Sequence, residues 1–180
     1  EIVPEGIKLA DGSVYELDII IMAVGFDAGT GGMSRINFNG RKGFNLRDEW
    51  NKDTRTSMGL QKYGFPNLFM TGVPLAPSAA LCNMTTCLQQ QTEWINDCIK
   101  HMRESGKTVI EPTADFEDAW VQHHDDTVNA TLFSKTDSWY NGANIDGKPG
   151  RFMSYTGGTG TYRQKCKEVA ESGYEGFEIA

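Results

Sequence analysis

The sequence predicts an α/β fold, and three observations carry that prediction. Residues 19–24 (IIIMAV) form a continuous apolar run rather than an alternating one. Its length and β-branching fit a strand buried on both faces, as in a parallel sheet. Apolar residues then recur at i, i+3, i+4 spacing from Met84 through Cys87, Leu88, Gln91, Trp94, Ile95, Cys98 and Ile99 to Met102. That pattern predicts an amphipathic helix of about five turns. Between and after them the chain reads strand, helix, loop, strand, helix, without the regular βαβ units of a whole nucleotide-binding domain.

Taken in order, residues 7–9 and 14–17 flank "ADGS" and predict a small hairpin. Asp11-Gly12 supplies the positive φ that a tight turn needs. The apolar run at 19–24 follows, and residues 25–43 read as a glycine-rich loop. "NLRDEWN" at 45–51 predicts a short helical turn. "GFPNLFMTGV" at 64–73 is a second strand, with Pro66-Asn67 punctuating its entry. Gly106 closes the long helix. A second helix carries Phe116, Ala119, Trp120, His123 and Ala130, "NGANIDGKPGR" is loop, and "RFMSYTGG" runs from strand into turn. A last helix at 162–170 ends before Gly173.

The 180 residues suffice for one hydrophobic core. A net charge of −7 and scattered basic residues argue against nucleic acid and anionic membrane as partners. The apolar run is far shorter than the ~20 residues a bilayer requires. Cys82, Cys87, Cys98 and Cys166 form no C-x-x-C pair, and no histidine stands at zinc-finger spacing. They are expected to be reduced and buried, as in a cytoplasmic protein. Glycosylation tripeptides at Asn83 and Asn129 carry no weight without a secretory signal.

Candidate chemistry is sparse. His123 and His124 project about 100° apart on a helix, so they cannot share an ion. His123 with Asp126 remains open as a pair, against the plainer reading of a solvated helix face. The sequence holds no G-x-S-x-G elbow, no strand-borne G-x-G-x-x-G and no P-loop. No catalytic side chain and no metal ligand is assigned. The end of the apolar run, "AVGFD", places small residues where a strand end meets a ligand crevice. Ala23 and Gly25 leave room there, and Asp27 either faces a cofactor or caps a loop.

Seven motifs come in one order: "DIIIMAVGFDAGTGG", "GFPNLFMTG", "PSAALCNM", "EWI", "SWYNGANIDGKPGRF", "YTGGTGTYR" and "GYEGF". Together, over residues 6–177, they resemble the carboxyl-terminal part of a flavin-dependent Baeyer–Villiger monooxygenase. "AVGFD" matches that family's A-T-G-[FY]-D strand with Val24 in place of the Thr, so that hydroxyl is lost. The resemblance implies an interleaved pair of dinucleotide-binding domains. Residues 1–34 are then the end of the NADP domain and the return strand into the FAD domain. Residues 35–180 are the carboxyl-terminal part of the FAD domain, with helices and a mobile cofactor loop. The family's two G-x-G-x-x-G turns, its His/Trp fingerprint and its catalytic Arg all precede this region, so the segment alone is expected to be inactive.

The implied reaction uses NADPH, FAD and dioxygen to insert oxygen beside a ketone carbonyl, giving an ester or lactone. Partners are therefore a small-molecule ketone, dioxygen and the amino-terminal part of the same enzyme. The resemblance places Met84 with its backbone against the flavin and Trp139 with its indole N–H towards the NADP ribose. Asn83, Asp27 and Tyr140 join them as cofactor-binding candidates, with Asn144 in the same loop. Leu75, Ser78, Leu81 and Cys82 are assigned to a ketone pocket, with Ala79 and Ala80 leaving space and Pro74 and Pro77 restricting the backbone. Two alternatives remain open. One is a related flavin enzyme that oxygenates nitrogen or sulfur, against which the loop "SWYNGAN" speaks. The other is an interaction module without chemistry.

Overall fold

The computed structural model describes residues 1–148 and 150–180. Strands β1 (Ile2–Val3), β2 (Gly6–Lys8) and β3 (Val14–Glu16) form an antiparallel sheet in that order. The β2–β3 hairpin turns through Gly12 at φ +90°, where only glycine sits without strain. After it come α1 (Gly31–Ser34) and α2 (Leu46–Lys52), the latter at the predicted helical turn. Helix α1 lies inside the stretch read as loop.

Helix α3 (Met84–Glu104) is the long predicted helix. Asn83 caps its start, the side-chain oxygen accepting from the Thr86 N–H at 3.3 Å. Gly106, at φ +68°, ends it. There the Lys107 N–H returns to the Met102 carbonyl at 2.7 Å and the Gly106 N–H to that of Arg103, a Schellman closure. Cys87, Gln91, Trp94, Cys98 and Met102 are its buried face. Helix α4 (Ala114–Asn129) is capped by Thr113 and buries Glu117, Trp120, Val121, His124 and Val128. Helix α5 (Thr159–Glu171) buries Tyr162 and Cys166. Two short strands that the sequence reading lacks, β4 (Ile110–Pro112) and β5 (Phe177–Ile179), pair antiparallel beside them.

These helices close on one hydrophobic cluster that includes Met58, Leu60, Leu75, Trp94, Ile110, Trp120, Tyr155 and Tyr162. A smaller cluster gathers Leu46, Trp50, Phe65, Met70 and Val73. Buried irregular chain, residues 53–77, runs through both. Turns within it and backbone partners outside it meet many of its backbone groups, and side chains meet others. Trp50, Trp120 and Tyr162 donate to the carbonyls of Arg55, Leu75 and Met58, at 2.9, 3.2 and 2.8 Å. In return Glu111, Glu117 and Gln91 accept from the N–H groups of Gly64, Tyr63 and Gly72, at 2.6, 2.8 and 2.9 Å.

Two predicted strands are not strands here. Residues 19–24 form no strand and are unpaired, and Ile21, Val24 and Phe26 are 85, 76 and 85% exposed. A strand buried on both faces needs a neighbour to complete its ladder and layers to cover it. No described residue supplies either. Residues 68–71 are likewise without a ladder, although Met70 donates to the Leu60 carbonyl. "RFMSYTGG" keeps a single parallel bridge, Ala76 to Ser154. Among the cysteines, Cys98 and Cys166 are free and buried as expected, whereas Cys82 and Cys87 are paired, with their Cα atoms 6.8 Å apart. That separation lies within disulfide reach, so the expectation of four reduced thiols is corrected for these two.

An unpaired, β-branched, uncharged segment is a template for association. The Ile21→Lys/Val24→Lys pair should therefore reduce self-association of the 180-residue chain, read by light scattering against concentration. Undiminished association would locate the adhesive surface elsewhere.

Candidate functional site

A cleft of ≈170 Å³ opens between the start of α3 and the loop that follows α4. Gly72, Val73, Pro74, Ser78, Ala79 and Met84 form one side, and Trp139, Tyr140 and Met153 the other, with Ala28 and Gly29 beyond. Two glycines let methionine side chains pack closely in its walls. A Cβ on Gly29 would meet the Met153 sulfur at 2.4 Å, and one on Gly72 would meet the Met84 methyl at 2.9 Å. The walls are apolar, and Ser78 brings a hydroxyl, bonded to that of Ser154 at 2.8 Å. Such a site suits a flat, largely apolar ligand edge with few polar anchors.

Trp139 and Tyr140 open a short 3-10 turn, Trp139–Asn141, that ends on Gly142 at φ +76°. Their rings stack with centroids 3.7 Å apart. The loop is tied down at several points. The Met153 N–H donates to the Tyr140 carbonyl at 3.0 Å, and the Asn141 amide to the Thr136 carbonyl at 2.7 Å. The Asn144 amide reaches the Phe26 carbonyl at 3.1 Å, and the Lys148 ammonium binds Asp27 and, at 2.7 Å, the Thr30 hydroxyl. The loop thus lies against the end of "AVGFD". Trp139, half exposed, also borders a second cleft formed with Ala23, Val24, Gly25, Phe26, Ala28 and Asn144.

The structure therefore brings Met84, Trp139, Tyr140 and Ser78 to one cleft, from positions far apart in the chain. It separates others. Leu75 is fully buried in the main cluster, turned there by a φ of +69°, and is core rather than wall. Leu81 is exposed and outside the lining, and Cys82 is engaged with Cys87. Asn83 spends its side chain on the α3 cap. Asp27 takes the loop-capping alternative, holding Thr30 at 3.0 Å as well as Lys148. Ala28, Gly29, Gly72 and Met153 also line the cleft, although sequence reasoning assigns them no role. Of these, only Gly72, at the end of a predicted strand, has a signal in the sequence.

The histidine pair is not a solvated face. His124 is fully buried, with Nδ1 3.3 Å from Asp125, and His123 Nε2 lies 2.7 Å from the Tyr155 hydroxyl. Burial, with Lys165 nearby, holds His123 below the usual imidazole range. Burial pushes the Asp125 carboxyl up, but hydrogen bonds from His124 and Arg151 more than offset this and hold it below the usual range. Burial raises the Cys98 and Cys166 thiols to about 12 and about 11, so neither is a nucleophile at neutral pH. Among the described residues no group of three or more His, Cys, Asp or Glu is placed to hold a metal ion.

No family model matches the chain. An acetone monooxygenase (methyl acetate-forming) of Gordonia sp. is 62% identical over 175 residues, covering 97% of this chain and 33% of the relative. A Baeyer–Villiger monooxygenase of Pseudooceanicola batsensis is 40% identical over 97% of this chain and 31% of its own length. A phenazine N-monooxygenase of Lysobacter antibioticus is 36% identical over 98% and 32%. A closed crystal structure of cyclohexanone monooxygenase superposes on all of this chain and 33% of its own, with a TM-score of 0.92 and 39% identity. A structure of OTEMO in complex with FAD and NADP gives 0.89 and 37%, again over all of this chain and 33% of its own.

These relatives and structural neighbours are monooxygenases, and one of them is solved with FAD and NADP bound. The chain is a segment of the Baeyer–Villiger monooxygenase family. It spans about a third of the length of the curated relatives it matches.

Gly72 offers a direct test of the close packing at Met84. Gly72→Ala puts a Cβ at a φ of +65° and against Met84 and Leu88. It should lower stability by about 1–2 kcal/mol, read from the urea midpoint. An unchanged midpoint would show that the segment relaxes freely around that position.

Proposed function

We propose that this chain forms the cofactor-covering part of an FAD- and NADPH-dependent monooxygenase that inserts oxygen beside a ketone carbonyl to give an ester or lactone. The observation that carries the reading is the cleft itself. It joins the Met84 end of α3 to Trp139 and Tyr140, positions separated by more than half a hundred residues of helix and strand. Named relatives that oxidise ketones, and a relative solved with FAD and NADP, support it.

The residues present fit these groups. Val73, Pro74, Ala79 and Met153 give the cleft apolar walls that suit a planar ring edge, and the backbone at Met84 would lie against it. When bound, flavin supplies the activation of dioxygen at the expense of NADPH. The chain's own part is to position and to exclude water. Trp139 offers an indole N–H to a ribose hydroxyl, and Tyr140 backs its ring. The loop, held to Asp27 and Phe26, covers the cleft and keeps water out. Val73, Pro74, Ser78 and Ala79 supply the ketone side. Leu75 contributes through the core beneath, and Leu81 and Cys82 stand outside the lining in this chain.

The reading extends to the domains. Residues 1–34 end an NADP domain and return to an FAD domain to which 35–180 belong. The apolar 19–26 segment supports this, because it has the composition of a central strand and no strand partner among the described residues. A cytoplasmic setting is part of the same reading. The free, buried Cys98 and Cys166 support it, and the Cys82–Cys87 pair weighs on the other side. Among the described residues no helix is long and apolar enough to cross a membrane.

A second reading, oxygenation of an aromatic nitrogen, is favoured by the phenazine N-monooxygenase. Its 36% identity is close to that of the 40% identical Baeyer–Villiger enzyme but well below the 62% of the acetone monooxygenase, so overall similarity favours the first reading. The full-length enzyme, given NADPH and either small ketones or nitrogen heteroaromatics of the phenazine type, decides by mass spectrometry of the product. An ester or lactone supports the first reading, and an N-oxide with no ester establishes the second.

The 180-residue chain by itself, mixed with FAD and desalted, should retain no flavin absorbance, because the reading puts the pyrophosphate-binding turns outside it. Stoichiometric retained flavin would overturn that assignment. In the full-length enzyme, Trp139→Ala should weaken NADP binding roughly tenfold, about 1.4 kcal/mol, and raise hydrogen peroxide release. Trp139→Phe keeps the ring and loses the donor, so the two causes separate. Normal coupling and NADP affinity in both variants would make Trp139 a packing residue.

A further inference from the structure

Arg151 is a charged junction that the cleft does not use. Its side chain is only 16% exposed and forks between two carboxylates on different elements. Nε and Nη2 donate to Asp53 Oδ1 at 3.1 and 3.0 Å, and Nη2 also reaches Oδ2 at 3.3 Å. Nη1 donates to both oxygens of Asp125. Asp53 is the residue that ends α2, and Asp125 lies on α4. One guanidinium therefore ties the smaller hydrophobic cluster, to which α2 belongs, to the helix that walls the main one. A planar fork between two carboxylates fixes direction as well as distance, which an ammonium does not.

The two residues immediately after Arg151 make this more than a surface ion pair. Phe152 stacks on Phe133, centroids 4.6 Å apart, and packs at 5.7 Å from Tyr140. Met153 donates its N–H to the Tyr140 carbonyl at 3.0 Å, and its own carbonyl accepts from Leu75 at 2.8 Å. Tyr140 in turn stacks on Trp139. The path from the two carboxylates to the Trp139 ring thus runs through one backbone hydrogen bond and two ring contacts. Asp27 with Lys148 pins the middle of the same loop. Arg151 sets where its far end is anchored.

We propose that Arg151 is a positioning residue, a two-carboxylate clamp that sets Tyr140 and through it the orientation of Trp139 over the cleft. The proposal rests on the reading of Trp139 as a cofactor-loop residue given under Proposed function. It assigns Arg151 no contact with substrate or cofactor. Asp53 and Asp125 share the role, because removing either leaves a half-engaged fork.

The test uses the full-length enzyme. Arg151→Met, Arg151→Lys and Asp125→Asn are compared with Trp139→Ala and with the Arg151→Met/Trp139→Ala pair. Readouts are NADP affinity, the fraction of NADPH oxidation that ends as hydrogen peroxide, melting temperature, and chymotryptic cleavage at Trp139 and Tyr140. Arg151→Met should weaken NADP about fivefold and raise the peroxide fraction, with Arg151→Lys in between. Added to Trp139→Ala, it should change either readout by less than about twofold, because both act through one ring. A lower melting temperature with normal affinity and coupling overturns the proposal, as do effects that multiply in the double variant. If Trp139→Ala itself changes neither affinity nor coupling, the cofactor-loop reading fails, and cleavage then judges the clamp alone. Faster chymotryptic cutting in Arg151→Met upholds the clamp, and an unchanged rate refutes it.

Discussion

Buried backbone that is neither helix nor sheet must find its hydrogen bonds somewhere, and in this chain residues 53–77 impose that constraint on everything around them. An unpaired buried N–H or C=O costs as much as a lost hydrogen bond. Helix α4 meets the demand with Glu117 and Trp120, α3 with Gln91, α5 with Tyr162, and β4 with Glu111. Each helix is thereby fixed in rotation as well as position, since its donor or acceptor has one target. The cleft inherits this precision. Gly72, whose N–H is held by Gln91, and Leu75, whose carbonyl is held by Trp120, flank Val73 and Pro74 at its wall.

The same constraint explains the buried acidic groups. Glu117 is almost wholly buried, yet it accepts from the Tyr63 N–H and faces Lys62 and Arg55. Glu111 accepts from the Gly64 N–H and faces Arg41. Removing one partner of such a set leaves an uncompensated buried charge, which costs far more than the pair contributes. These carboxylates therefore serve as structural ties between helix or strand and loop, and neither lines the cleft.

Long elements with local signals were legible. The α3 periodicity and its Gly106 stop are written in neighbouring residues, and the same holds for the Asp11-Gly12 hairpin, whereas the Asn83 cap was read as a cofactor contact. Strands β4 and β5 were not legible, because each has three residues and exists only through pairing between Ile110–Pro112 and Phe177–Ile179. Residues 19–24 show the converse failure. Their composition describes a surrounding that the chain does not itself supply, so a correct reading of local preference coincides with an exposed, unpaired segment. At the cleft, Trp139, Tyr140 and Met84 were reached through motif resemblance, and Ser78 through its place in a loop beyond a predicted strand end. Leu75 was misassigned because its left-handed φ turns it inward, which hydrophobicity alone cannot reveal. Met153 enters the cleft through a backbone bond to Tyr140 that leaves no mark in the sequence.

The indole of Trp139 is a party wall, shared by the cleft at Met84 and the one at residues 23–26. A ring that borders two chambers cannot turn for one occupant without altering the room left for the other. A ligand that favours one orientation of the ring in the first chamber shifts the affinity of the second by some factor. Thermodynamic linkage then requires the second ligand to shift the first by the same factor. Two molecules that never touch would in this way sense each other's presence through a single side chain.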